Sequence, residues 1–140
     1  MSTITGIIYN GIRKTIWEVA FSRNITSSAQ MKKLISLKTD DEFLSRVMNS
    51  SKPVIVNFHA DWCEPCHILT PKLEELIAHN NDIDLATLEI DDHPGLAQTF
   101  EVKAVPAVIA VRNGLVVDKF IGLADANLIE ELIEKLINKE

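Results

Sequence analysis

The chain has 140 residues, 46% hydrophobic and 24% charged, the make-up of one ordinary globular domain large enough to bury a core. No apolar run reaches the roughly 20 residues that span a bilayer, so a membrane is not an expected partner. The net charge of −6 is uneven, with six basic side chains against Glu18 alone in residues 1–38, and the acidic remainder excludes a nucleic-acid backbone as partner.

The N-terminal segment "MSTITGIIYNGIRKTIWEVAFSRNITSSAQ" is rich in Ser and Thr and nearly free of acids. Ile8, Ile12, Ile16 and Val19 recur at helical spacing, with Arg13 and Lys14 off that stripe. This is the profile of a mitochondrial transit peptide, since a secretory signal needs an uninterrupted apolar core. Residues 1–32 are therefore expected to be a transit peptide, with cleavage after Ile25, and otherwise a flexible extension. Residues 33–140 are the expected functional domain, located in the mitochondrial matrix.

From Lys33 the pattern alternates between strand and helix. "KLISL" reads as a short strand, and "DDEFLSRVMNS" as a helix capped by Asp40 or Asp41, with Phe43, Leu44, Val47 and Met48 on one face. "PVIVNF" is an apolar run suited to a strand buried on both sides. A helix from about Cys63 to His79 follows, interrupted by Pro71, which is expected to kink it. "IDLATLEI" is a third strand and "PGLAQTF" a short helix opened by Pro94. "AVIAVRNGLVVDKF" is a hairpin, because Asn113–Gly114 supplies the positive φ of a tight turn. The last helix, about Asp125 to Lys139, places Leu128, Ile129, Leu132, Ile133, Leu136 and Ile137 on one face. This order predicts an α/β domain, a central mixed β-sheet flanked by helices on both faces.

The stretch "ADWCEPCH" holds both cysteines. A C-x-x-C pair can exchange disulfides, share a metal, or, completed by His67, carry haem. Cys63 falls at the start of a helix, after a strand and at the edge where α/β sheets place their sites. Pro65 lies in the first turn, where a missing N–H costs nothing. Unpaired backbone donors and the helix dipole favour a thiolate at Cys63. Cys66, about one turn on, is close enough to close a small disulfide. An attacking thiolate beside a resolving thiol is the minimum apparatus for disulfide exchange.

Haem attachment fits poorly, because c-type cytochromes surround the group with helices and acquire it outside the matrix. Zinc needs about four ligands, whereas Cys63, Cys66, His67 and nearby His59 come from one short segment, so no metal is expected. His59 reads as a partly buried strand residue, and His79 and His93 as solvated loop positions.

The run "VIVNFHADWCEPCH", the later "VPA" at 105–107, and "NG" followed by "DKFIG" resemble the thioredoxin family over about residues 33–140. "FHADWC", "EIDDHPGLA" and "VVDKFIGL" are particularly similar to its mitochondrial members. The resemblance implies the thioredoxin fold and a protein-disulfide reductase with Cys63 as nucleophile and Cys66 as resolving thiol. It further implies that Trp62 packs beside the site, that Pro106 after Val105 is a cis-proline facing the disulfide, and that Gly122 lines the substrate groove. No bound cofactor is implied beyond the Cys63–Cys66 disulfide. An NADPH-dependent thioredoxin reductase would supply electrons, and a peroxiredoxin or methionine sulfoxide reductase would receive some.

Three positions depart from the family pattern. Glu64 replaces the usual glycine between the cysteines and disfavours a neighbouring thiolate, whereas a protonated His67 favours it. Asn57 and Thr87 stand where most thioredoxins carry a buried Asp and a nearby Lys. Losing both charges together is coherent, because one alone would be stranded in low dielectric. It also removes the internal base, so slower resolution of the mixed disulfide is expected. The rival function is a redox-inactive binding or scaffold module on the same fold.

Overall fold

The computed structural model describes residues 34–138. The transit-peptide reading and its Arg23–Ile25 cleavage site lie outside these residues. Strands β1 (Leu34–Ser36), β2 (Val54–His59), β3 (Asp84–Glu89), β4 (Ala107–Arg112) and β5 (Leu115–Ile121) form one sheet in the order β1-β3-β2-β4-β5. The two crossovers leave β1, β3 and β2 parallel, and β4 and β5 are antiparallel additions. The expected mixed sheet and hairpin are therefore present. Asn113 (φ 52°) and Gly114 (φ 74°) make the hairpin turn, where residues tolerant of the left-handed region are needed.

Alternation along β2 splits its side chains between two cores. Val54, Val56 and Phe58 pack with Phe43, Val47, Leu88 and Ile109 on one face. Ile55 packs on the other with Leu69, Leu73, Ile77, Leu85 and Ile129. The second face is covered by helix α2 (Glu64–Ala78) and helix α4 (Ala126–Asn138), whose buried residues recur every three or four positions. Helix α1 (Asp40–Phe43) and helix α3 (Pro94–Thr99) belong to the first face. A 3₁₀ turn, Ile90–Asp92, links β3 to α3. Among the described residues, no helix is long and apolar enough to cross a membrane.

Several local expectations need correction. Thr39, not Asp40 or Asp41, caps α1: its hydroxyl accepts the Glu42 N–H at 3.1 Å, while the Glu42 carboxylate accepts the Lys38 N–H at 2.7 Å. This is close to a capping box, in which the hydroxyl reaches the third helical N–H. The α-helix then continues as a π-helical segment, Leu44–Met48, and the wider turn leaves Leu44 exposed. On α4, Leu128 and Ile137 lie at the margins of the apolar stripe and are exposed. His93 is not a solvated loop residue. It is buried, and its Nδ1 lies 2.6 Å from Asp40 Oδ1.

Candidate active site

Strand β2 ends at His59, and a turn closed by Cys63 N–H donating to the Ala60 carbonyl at 3.1 Å delivers the chain to α2. Cys63 is the N-cap: its backbone is extended, and its Sγ accepts the Cys66 N–H at 3.3 Å. The cap position thus points the sulfur at a backbone donor that the helix leaves free. Cys63 and Cys66 are joined as a disulfide with Cα atoms 5.3 Å apart. Both cysteines are buried, in a small cluster with Ala60, Ile90 and Val105.

The surround of this disulfide is partly apolar and open. Trp62 is 69% exposed, and its indole N–H donates to Asp91 Oδ2 at 2.9 Å. Glu64 and Pro65 lie exposed in the first turn of α2. A Glu64 carboxylate interacts favourably with the N-terminal end of the helix dipole, so it shares the field that Cys63 uses. A ring nitrogen of His67, Nε2, lies 3.1 Å from the Asp61 carbonyl, which ties the helix back to the preceding loop.

The Val105–Pro106 peptide bond is cis, and the Pro106 carbonyl accepts the Gly122 N–H at 2.7 Å. Gly122 has φ +97°, a region that favours glycine. It sits between the exposed Ile121 and Leu123. An N-terminal helix cap holding a C-x-x-C disulfide, with Val105 packed on it, is redox machinery. A family model described as Thioredoxin matches residues 34–135.

The chain belongs to the thioredoxin family. Among similar proteins, mitochondrial thioredoxin of Bos taurus is 43% identical over 117 residues, covering 83% of this chain and 70% of that protein. Mitochondrial thioredoxin of Mus musculus is 50% identical over 97 residues, 69% of this chain but only 58% of that protein. A solved structure, a mutant thioredoxin from Halobacterium salinarum NRC-1, superposes with a TM-score of 0.67 at 29% identity, covering 75% of this chain and 91% of that one. Thioredoxins are thiol–disulfide oxidoreductases that carry electrons in the cysteine pair itself, and reductase partners and disulfide substrates are general to the family.

Among the described residues, Asn57 and His93 are the buried polar side chains. Asn57 points from β2 toward α2, and its Nδ2 donates to Thr70 Oγ1 at 2.8 Å. Its Oδ1 is buried and has no hydrogen-bond partner among the described residues. Thr87 lies beside it in register on β3. A neutral amide with an open acceptor therefore joins β2 to the helix that carries the cysteines.

Sequence reasoning missed three contacts of this site: Thr70 on Asn57, Asp91 on Trp62, and Glu89 beside His59. Each partner comes from an element distant in sequence. The parallel pairing of β2 and β3 was the available signal for Glu89, since it sets the two strand ends side by side.

Proposed function

We propose that this chain is a mitochondrial protein-disulfide reductase in which Cys63 is the nucleophile. The Cys63 thiolate attacks one sulfur of a substrate disulfide, forming a mixed disulfide and releasing the first substrate thiolate. Cys66, deprotonated, then attacks Cys63 Sγ, which closes the intramolecular disulfide and releases the second. Two electrons pass to the substrate, and a reductase returns them to the protein. An NADPH-dependent thioredoxin reductase fits the donor role, and a peroxiredoxin or a methionine sulfoxide reductase fits the acceptor.

The observation that carries this reading is the position of Cys63 at the N-cap of α2, with its sulfur aimed at the Cys66 N–H. That placement lowers the cost of a thiolate at Cys63. Trp62, Glu64, Pro65, His67, Val105, Pro106 and Gly122 border the pair and tune it or line the groove, and Asn57 underlies it. The mitochondrial location is supported by the names of the similar animal proteins and by the basic amphipathic N-terminal stripe.

Redox titration against dithiothreitol, followed by tryptophan fluorescence, together with insulin reduction, tests the proposal. A potential near the value of about −270 mV typical of thioredoxin, with sustained turnover, supports a reductase. A much more oxidising potential, or no turnover, favours the binding-module reading.

A further inference from the structure

We propose, resting on the reductase reading of this site, that Lys119 is a positioning residue for the substrate groove. From β5 it holds the turn at Phe100–Glu101, through which the chain approaches Val105 and Pro106. That turn is unusual. Glu101, just past the C-cap Phe100 of α3, has φ 54°, in the left-handed region where side chains other than glycine are strained. Its N–H donates to the Gln98 carbonyl at 3.2 Å, and the Val102 N–H donates to the Ala97 carbonyl at 2.8 Å. This pair of bonds is a Schellman ending, whose left-handed position is usually glycine. A strained residue persists where its surroundings over-determine it, and such residues cluster at functional sites.

Lys119 supplies those surroundings. Its Nζ donates to the Phe100 carbonyl at 3.1 Å and to the Glu101 carbonyl at 3.2 Å. Carbonyls at a helix end lack intrahelical partners, and a cation there also meets the favourable end of the helix dipole. The reach follows from strand register. Lys119 stands opposite Ile109 on β4, and opposite residues of an antiparallel pair share a face. Ile109 packs with Ala97 and Val102, so the lysine leaves the sheet on the side of α3.

Beyond Val102 the chain runs to Val105, which packs against the cysteines, and to Pro106, whose carbonyl accepts the Gly122 N–H at 2.7 Å. Strand β5 and the glycine that follows it therefore hold segment 100–106 at both ends, Lys119 at the first and Gly122 at the second. Between them Lys103 and Ala104 are exposed. Loss of Lys119 releases the first end. The groove wall beside the disulfide is then less preorganised, which weakens binding of an extended substrate and leaves the sulfur chemistry intact.

Steady-state insulin reduction by the full-length protein tests this role. In Lys119→Met, which keeps the aliphatic stem, KM for insulin should rise at least about three-fold with kcat unchanged, the signature of lost uniform binding. Lys119→Arg, which keeps the donors, should stay near the wild-type KM. Lys52→Met removes the same charge just before β2, at the far end of that strand from the cysteines, and should also match wild type. Reduction of the small neutral hydroxyethyl disulfide, too short to fill a groove, should proceed at the wild-type rate in all three variants. An unchanged insulin KM in Lys119→Met overturns the proposal, even if its melting temperature falls, and so does an equal rise in Lys52→Met. A wild-type protein that reduces neither disulfide overturns the reductase reading and this role with it.

Discussion

Asn57 and Thr70 tie the central strand to the redox helix: the amide Nδ2 donates to the hydroxyl at 2.8 Å, one helical turn beyond Cys66. This bond occupies one end of the amide and leaves the buried Oδ1 open. A neutral group is far cheaper to bury than a carboxylate, but it takes up no proton from Cys66.

Asn57→Asp should therefore speed resolution of the mixed disulfide at neutral pH. The gain has a counterpart in stability. Desolvation raises the pKa of a carboxyl buried at this fully enclosed position, so the unfolded chain releases its proton first. The variant should lose stability as pH rises above about 3.9, the unfolded value, and level off beyond the raised folded value. Stopped-flow turnover and urea unfolding across pH measure both effects. Unchanged turnover would remove the missing base as the cause of slow resolution.

Thr70→Val leaves the Asn57 amide without its recorded partner and should cost about 1–3 kcal/mol of unfolding free energy. The double variant Asn57→Leu, Thr70→Val should lose less than the two single losses combined, because it strands no polar group. Denaturant unfolding of the four proteins gives the coupling directly. Additive losses would mean that the bond contributes little.

The assigned roles of the cysteines can be separated chemically. Cys66→Ser should accumulate a mixed disulfide with a model substrate, visible as added mass, since nothing remains to displace the substrate from Cys63. Cys63→Ser should trap almost none, because Cys66 lies within the helix and lacks the N-cap position that favours a thiolate at Cys63. Equal trapping by both variants would contradict the N-cap argument.

At Gly122, φ is +97° and an added Cβ would meet no atom within 4 Å. The penalty of Gly122→Ala is thus backbone strain rather than collision, about 1–2 kcal/mol. Because the Gly122 N–H is bonded to the Pro106 carbonyl, relaxation there should also disturb the groove and raise the KM for insulin. A thermal melt and steady-state kinetics check the two parts.

His93 is 4% exposed and meets Asp40 across 53 positions of sequence. Asp40→Ala should cost about 1–3 kcal/mol by leaving a buried imidazole nitrogen unpaired. Asp41→Ala, at an exposed neighbour, should stay within about 0.5 kcal/mol. Similar losses in both would assign the effect to the helix N-terminus instead.

Local pattern made much of this molecule legible. "PVIVNF" suits a strand covered on both sides, and every residue of Val54–Phe58 is buried. The C-x-x-C pair, the Pro65 within it and the preceding strand placed Cys63 at a helix start, and it is the N-cap there. The same reasoning failed at His93 and at Thr39. A polar residue just before the helix-opening Pro94 suggests solvent, and the exposed Asp40 that meets buried His93 lies in a helix far back in the chain. Two aspartates after a threonine look like capping residues, although the hydroxyl one position earlier accepts the helix N–H.

By itself, then, the sequence determined the elements, the mixed sheet and the redox pair, because periodicity and capping act over a few residues and depend on side chains near in the chain. The tertiary structure alone decided which polar groups meet: Asn57 with Thr70, Trp62 with Asp91, His59 with Glu89, and His93 with Asp40. Those pairings follow from strand register and helix docking, which are set by how two hydrophobic faces pack across the sheet. No local pattern encodes the distance between groups that only that packing brings together.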